Sequence, residues 1–225
     1  AYLPVSLPPL DVPHLLRQFG LRPDKSLGQN FLVDPAGLQK VIAAAGVEPE
    51  DHVLEVGPGL GSLTRLLAQA ARQVTAVEID AGLLPPLRAV LADFANVRLV
   101  QGDILDLDPA ELMGGEQAQG YKVVANIPYY IPSALIRHLL EARLKPDRLV
   151  LTVQKEVAER ITAGPGEMSL LALSVQVYGA PRIAARIPAG AFYPPPKVDS
   201  AVVRVDLYPE PQIPAGALEV FFRLA

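Results

Sequence analysis

The sequence of 225 residues contains no cysteine. A disulfide framework and a thiolate zinc site are therefore excluded, and the composition fits a reducing, cytoplasmic setting. No apolar run reaches the ~18 residues of a membrane-spanning helix, so no membrane association is expected. The opening AYLPVSLPPLDVPHLLRQFG lacks a basic leader segment and carries too many prolines for a signal peptide. An excess of positive charge is missing as well, the formal net charge being −4. That argues against a chain that is basic throughout. It leaves room for a local basic patch, because nucleic-acid affinity follows where Lys and Arg cluster. Apolar content is what the chain has in quantity: 50% of its residues are hydrophobic, enough for one sizeable core with a small appendage.

The rest of the chain is organised around HVLEVGPGLG at residues 52–61. Val53, Leu54 and Val56 form a short apolar run broken by Gly57, Pro58, Gly59 and Gly61, and SLTRLLAQAA then places Leu63, Leu66, Leu67 and Ala70 at helical spacing. Strand, glycine turn and helix open an α/β unit. Gly57 and Gly59 let backbone approach a ligand without an intervening Cβ, while Gly61 lets the helix start close to the sheet. The next strand, QVTAVEI at 73–79, ends in Glu78 and Asp80, where an acid can accept hydrogen bonds from ribose hydroxyls. A dinucleotide and S-adenosylmethionine both remain open at this point. Pro58 and Glu55 beside the turn are poor company for two phosphate charges, so the acidic loop suits S-adenosylmethionine better.

Taken in order, a Pro-punctuated arm fills residues 1–13, HLLRQFGL is expected to form a short helix ending at Gly20, and RPDKSLGQNF follows as a polar turn. Helices are expected at 35–45 with Asp34 as cap, at 81–94, at 132–143 and at 154–163. Strands are expected at 97–100, 122–125 and 148–153, with 170–177 and 200–207 of mixed strand or helix character. This alternation argues a Rossmann-like α/β fold with a mostly parallel sheet covered on both faces. Glu78, Asp103 and Asn126 each fall at a strand end, and in a doubly wound sheet the carboxyl ends share one crevice. Asn126-Ile127-Pro128-Tyr129 is the chemically loudest segment. An exocyclic base amine is a poor nucleophile, and the Asn126 amide oxygen with the Ile127 carbonyl could accept both its N–H groups. Pro128 stiffens that turn and Tyr129 offers a stacking face.

Seven ordered segments carry a resemblance: LGQNFLVD at 27–34, VLEVGPGLGSLTRLL at 53–67, VTAVEID at 74–80, QGDILDLD at 101–108, VVANIPYYIPSALI at 123–136, TVQKEVAERITAGPG at 152–166 and FYPPPKVDSAVV at 192–203. Across residues 20–208 the chain resembles the ribosomal RNA small-subunit adenine dimethyltransferases. Related enzymes that methylate a large-subunit adenine, and mitochondrial transcription factors of the same fold, match FYPPPKVDSAVV less fully. The resemblance implies a class I methyltransferase domain at 21–208 with a seven-stranded sheet, and the start of a small C-terminal helical domain at 209–225. It also implies transfer of methyls from S-adenosylmethionine to N6 of two adjacent adenosines near the 3′ end of 16S rRNA. The expected partner is a partly assembled small ribosomal subunit, with the enzyme acting as a monomer and without a metal.

By the same resemblance Gln29, Asn30 and Leu32 help hold the methionine end of the cofactor and Gly57, Gly59 and Gly61 form its loop. Glu78, with Ile79 beside it, binds the ribose. Asp103, with Ile104, recognises the cofactor adenine. Asn126, Ile127, Pro128 and Tyr129 hold the target base, Asn126 also bordering the cofactor, and Phe192 stacks on the base's other side. Two departures stand out: family members usually carry a Tyr-Gly pair where this chain reads GEMSL at 166–170, and they continue into a helical domain with an Arg-Arg-Lys cluster. Candidate RNA contacts are Lys25, Arg137, Arg143, Lys145, Arg148, Lys155, Arg160, Arg182, Arg186 and Lys197.

Overall fold

A computed structural model describes residues 7–115, 120–127, 132–213 and 217. Its centre is a seven-stranded sheet built from β2 (His52–Val56), β3 (Gln73–Glu78), β4 (Val97–Gln101), β5 (Lys122–Asn126), β6 (Arg148–Gln154), β7 (Gly179–Ile187) and β9 (Ser200–Leu207). The strand order is β4-β3-β2-β5-β6-β9-β7. The first five strands run parallel, and β9 joins β6 and β7 antiparallel. Alternation within the strands divides the core. Leu54, Val56, Val123, Ala125, Leu149 and Leu151 pack on one face. Val53, Val124, Val150 and Val202 pack on the other, under α2 (Pro35–Ala45) and α3 (Ser62–Ala70).

Local chemistry explains where the helices begin and stop. The Asp34 carboxylate accepts from the Gly37 amide at 2.7 Å and Pro35 opens α2, while Gly46 ends it at φ +52° in the left-handed region. Three cations gather at that end. Lys122 Nζ donates to the Gly46 carbonyl at 2.7 Å, Arg148 Nη1 to Ala45 at 2.8 Å and Arg204 Nη1 to Ala44 at 3.3 Å. They satisfy last-turn carbonyls and oppose the negative end of the helix dipole. Arg148 and Arg204 also share Asp206, whose carboxyl pKa lies below its usual value although its partial burial alone would raise it. Arg148 is thus held by the fold and is withdrawn from the set of candidate RNA contacts.

Of the two segments read as strand or helix, 170–176 is a helix (Leu170–Gln176) capped by Ser169, and 200–207 is the strand β9. Elsewhere the structure departs from the sequence reading. The expected 81–94 helix is a 3-10 turn followed by the shorter α4 (Leu84–Val90). Strand β7 had no counterpart in the reading, because GAPRIAARI mixes Pro and Arg with small residues and shows no clean alternation. Among the described residues it is an edge strand pairing only with β9, with a register shift between Ile183 and Ala185, a position where Pro and charge are tolerated. A second, two-stranded sheet joins β1 (Phe31–Leu32) to β8 (Phe192–Tyr193), aligning Phe31 with Tyr193 and Leu32 with Phe192.

Helix α1 (Val12–Gln18) lies against the glycine loop. Its Val12 and Leu16 pack with Phe31, Leu60 and Leu83, and Arg65 of α3 donates to the Pro8 carbonyl at 2.9 Å. No helix among the described residues is long and apolar enough to cross a membrane.

Candidate active site

Strand β2 continues through α3 to β3 on one side, whereas β5, later in the chain, adds to its other side. The carboxyl ends of β2 and β5 therefore flank the topological switch point, where open α/β sheets bind ligands. A crevice of about 560 Å³, counting its open mouth, lies there. Leu27, Gly28, Gln29, Asn30, Phe31, Gly57, Gly59, Glu78, Ile79, Leu83, Asn126 and Ile127 line it.

Two loop positions permit the close approach of backbone. Gly57 and Gly59 have φ of +73° and +59°, conformations that other residues adopt only at a cost. A Cβ on Gly59 would lie 2.8 Å from Phe31 Cδ1, so the ring and the loop fit each other only because the side chain is a hydrogen. The Gly59 amide donates to Glu78 Oε2 at 3.0 Å, and the Asp80 amide to Glu78 Oε1 at 2.9 Å. Glu78 is only 4% exposed. Burial raises its pKa, with the neighbouring Asp80 adding to the rise and the backbone donors opposing it. Each oxygen uses one lone pair on these amides and retains another for an incoming hydroxyl.

The amide of Asn126 is oriented without ambiguity. Its Nδ2 donates to the Asn30 carbonyl at 3.0 Å. A carbonyl can only accept, so the nitrogen must face it and the oxygen must face elsewhere. Asn30 is itself tied down by donating to the Gly28 carbonyl at 3.0 Å. Gln29 spends both ends of its side chain within the protein, donating to Asp80 at 2.6 Å and accepting from the Asp24 amide at 2.8 Å. It shapes the wall instead of presenting a free amide. Ile127, buried beside Asn126, ties its N–H to the Thr152 carbonyl at 3.1 Å.

Other expected site residues lie outside the crevice. Leu32 is buried and borders a smaller cavity behind the glycine loop. Gly61 starts α3, where a Cβ would press within 3.0 Å of Leu87, so it serves the packing of α3 on α4. Asp103 caps a 3-10 turn by accepting from the Leu105 amide at 2.9 Å, and Ile104 is a core residue. Pro128 and Tyr129 lie outside the described residues. Phe192 is 4% exposed, packs with Leu32, Leu38 and Ile187, and does not line the crevice. In β8 successive side chains alternate in direction, so burying Phe192 turns its neighbour Tyr193 outward, 36% exposed. The ring expected to stack on a base is here the anchor of its loop.

Phe31 and Leu83 are lining residues that the sequence reading did not single out. Phe31 lies within LGQNF, but its role depends on contact with Gly59, 28 positions away, which no local pattern discloses. Among the described lining residues Glu78 is the one charged side chain. That lining fits a cationic nucleoside such as S-adenosylmethionine and fits pyrophosphate badly, in agreement with the acidic loop. Of the candidate cations, Arg137, Arg143 and Lys155 are engaged with Glu141, with Asp108 and Glu111, and with Glu159. Lys25, Lys145, Arg160, Arg182, Arg186 and Lys197 form no ion pair among the described residues.

Comparison with known proteins places this geometry in context. The family described as ribosomal RNA adenine dimethylase matches residues 20–225. Ribosomal RNA small subunit methyltransferase A of Dehalococcoides mccartyi (strain CBDB1) is 49% identical over 212 residues, covering 94% of this chain and 72% of the relative. Its namesake from Pelotomaculum thermopropionicum is 44% identical over 225 residues, covering 96% and 76%. Among solved structures, the 23S rRNA methyltransferase ErmE superposes with a TM-score of 0.75 at 34% identity, covering 87% of this chain and 77% of that one. A dimethyladenosine transferase from Plasmodium falciparum gives 0.70 at 31%, covering 79% and 63%.

Proposed function

The chain belongs to the ribosomal RNA adenine dimethylase family, and on that premise we propose how its crevice carries out the reaction. The protein is an S-adenosylmethionine-dependent adenine dimethyltransferase of small-subunit rRNA. Its substrate is a pair of adjacent adenosines near the 3′ end of that RNA, each receiving two methyls. They are presented by a partly assembled small subunit to a monomeric enzyme. The observation that carries this reading is the switch-point crevice. It sets one buried carboxylate, Glu78, beside an amide, Asn126, whose donor end is already occupied.

When bound, S-adenosylmethionine supplies a methyl group activated by its sulfonium. Glu78 accepts hydrogen bonds from the ribose hydroxyls through the lone pairs its backbone donors leave over. Ile79, exposed at the rim, covers the nucleoside. The resemblance assigns Asp103 and Ile104, in the turn that follows β4 and outside the lining of the crevice, to the adenine end, and the backbone around Gln29, Asn30 and the glycine loop to the amino-acid end. Asn126 accepts one N–H of the target adenine amine through its amide oxygen and the Ile127 carbonyl accepts the other. This draws the nitrogen lone pair out of the ring and towards the methyl. By the resemblance, Pro128 and Tyr129 are assigned to holding the target base, with Tyr129 as its stacking partner. The bound cofactor would supply the methyl by giving up one S–C bond as one N–C bond forms, and the surplus proton would leave once the nitrogen is cationic. Alignment accounts for most of the catalysis, since holding two reactants in line can supply roughly 7–11 kcal/mol of barrier lowering.

Incorporation of labelled methyl groups into undermethylated small subunits, large subunits and protein-free rRNA tests the assignment. Small subunits are expected to be the preferred acceptor. Preference for large subunits would favour the alternative suggested by the likeness to the 23S enzyme. Particle binding without turnover would indicate an assembly factor that retains only the fold.

A further inference from the structure

The two-stranded sheet leaves one aromatic with no part in the mechanism above. Its register sets Phe31 opposite Tyr193 and Leu32 opposite Phe192. Residues directly opposite in an antiparallel pair project to the same face, with Cβ atoms about 4.5–5.5 Å apart. Leu32 and Phe192 both enter the core under α2, so Phe31 and Tyr193 share the other face. Phe31 turns its ring to Gly59 and lines the crevice. Tyr193 therefore stands beside Phe31 on the rim of the crevice, outside its lining and 36% exposed.

The loop that follows holds this ring in place. Pro194, Pro195 and Pro196 fix φ along its tip, and Phe192 anchors one end in the core. At the other end Asp199 accepts from the Ala189 amide through Oδ1 at 2.9 Å and from the Lys155 amide through its carbonyl at 3.0 Å. Between these anchors Lys197 is exposed and forms no ion pair among the described residues. Lys155 is the residue after β6, and β6 sets Thr152 opposite Asn126 of β5. The loop is thus rooted next to the strand end that carries the target-base amide. Lys155 meets Glu159 only at 3.7 Å with both side chains about half exposed, a pairing weak enough to leave the ammonium free for a phosphate.

A rigid, exposed ring beside unpaired cations suits a single strand of nucleic acid, the ring taking a base face and the cations the backbone. Extruding a target base creates the need for such a ring, because the next base in the strand loses its stacking partner. We propose that Tyr193 stacks on the adenosine adjacent to the one being methylated, replacing the partner that has left the stack, while Lys197 and Lys155 hold the phosphate between the two. The inference rests on the function proposed above, in which the acceptor is a pair of neighbouring adenosines. Tyr193 touches the RNA and not the reacting nitrogen. Its loss therefore falls on capture of the acceptor and leaves the transfer step intact.

Steady-state and single-turnover methylation of undermethylated small subunits provide the test. Tyr193→Ala should raise KM for the particle about 5- to 150-fold, the range of one base–aromatic stack. The single-turnover rate at saturating particle and the affinity for S-adenosylmethionine should not change. Tyr193→Phe, which keeps the ring, should restore the wild-type KM, whereas the apolar but ringless Tyr193→Leu should not. Particles reconstituted on rRNA with an abasic site at one or the other adenosine identify the stacking partner. On at least one of them wild type and Tyr193→Ala should have equal KM, since the stack is already lost. An unchanged KM for Tyr193→Ala, or additive losses on both abasic particles, overturns the proposal and leaves the methyltransferase reading intact. A slower single turnover at saturation overturns it too, because Tyr193 would then hold the target base itself. No methylation of any particle by wild-type protein would instead overturn the proposed function, and this proposal with it.

Discussion

Gly59→Ala joins the glycine loop to the crevice in one perturbation. The new Cβ meets two obstacles. Gly59 has φ +59°, and holding a residue with a Cβ in the left-handed region costs about 1–2 kcal/mol. The methyl would also lie 2.8 and 2.9 Å from Phe31 Cδ1 and Cε1. Phe31 cannot retreat freely, because it is packed among Val12, Leu16, Leu60 and Leu83, and overpacking of this kind costs about 1–3 kcal/mol. The sum, about 2–5 kcal/mol, corresponds to a fall in Tm of roughly 4–20 °C for a chain of this size.

Function should suffer at the same time. Relief of the clash pushes the Phe31 ring into the crevice or swings the Gly59 amide away from Glu78, and hydrogen bonds to charged groups are worth about 1.5–3 kcal/mol. Affinity for S-adenosylmethionine is expected to drop by about tenfold or more. Scanning calorimetry and titration calorimetry on Gly59→Ala, Phe31→Leu and the double variant separate the two contributions. Removing the ring removes the clash but not the φ cost. The double variant should therefore be more stable than the sum of the single changes by about 1–3 kcal/mol. Strict additivity, or a Gly59→Ala protein with unchanged Tm and affinity, would refute the steric account.

Three further outcomes are expected. Asn126→Ala should retain fold, cofactor affinity and most particle affinity while lowering single-turnover methylation by about 100-fold, the scale of removing one preorganised polar contact at a reacting centre; near-normal transfer would reduce Asn126 to a strand end. Phe192→Ala should cost about 3–5 kcal/mol of stability as a core truncation, and Tyr193→Ala should leave Tm nearly unchanged. Lost methylation by Phe192→Ala at an unaltered Tm would restore the base-stacking role implied by the resemblance. Glu55 also sets a pH dependence of stability. Its folded pKa is raised from 4.5 to about 8, so the stability it contributes is full below the unfolded value and is lost as pH rises through about 8. Thermal melts from pH 6 to pH 9 should fall more for wild type than for Glu55→Gln, and parallel curves would show that Glu55 is already ionised.

Much of this architecture is written locally. The glycine turn, the apolar β-branched runs, Asp34 before Pro35 and the acid after the second strand are short-range signals, and each produced the expected element. Their order was enough to place Glu78, the glycine loop and Asn126 in one crevice, because a doubly wound sheet brings the ends of its central strands together. What the sequence could not disclose are properties that arise only between distant segments. The orientation of the Asn126 amide is set by the Asn30 carbonyl, 96 residues away in the chain. Which of two adjacent aromatics is buried was decided by the pairing of β8 with β1, which turns Phe192 into the core and Tyr193 outward. Arg148 resembled any other surface cation until the end of α2 and Asp206 closed on it. Glu55, in sequence one acid before a glycine loop, gained its chemistry from strand parity and from the lid of α3. Ionisation depends on solvent and neighbouring charge, and a carboxyl acquires both only when the layers close around it.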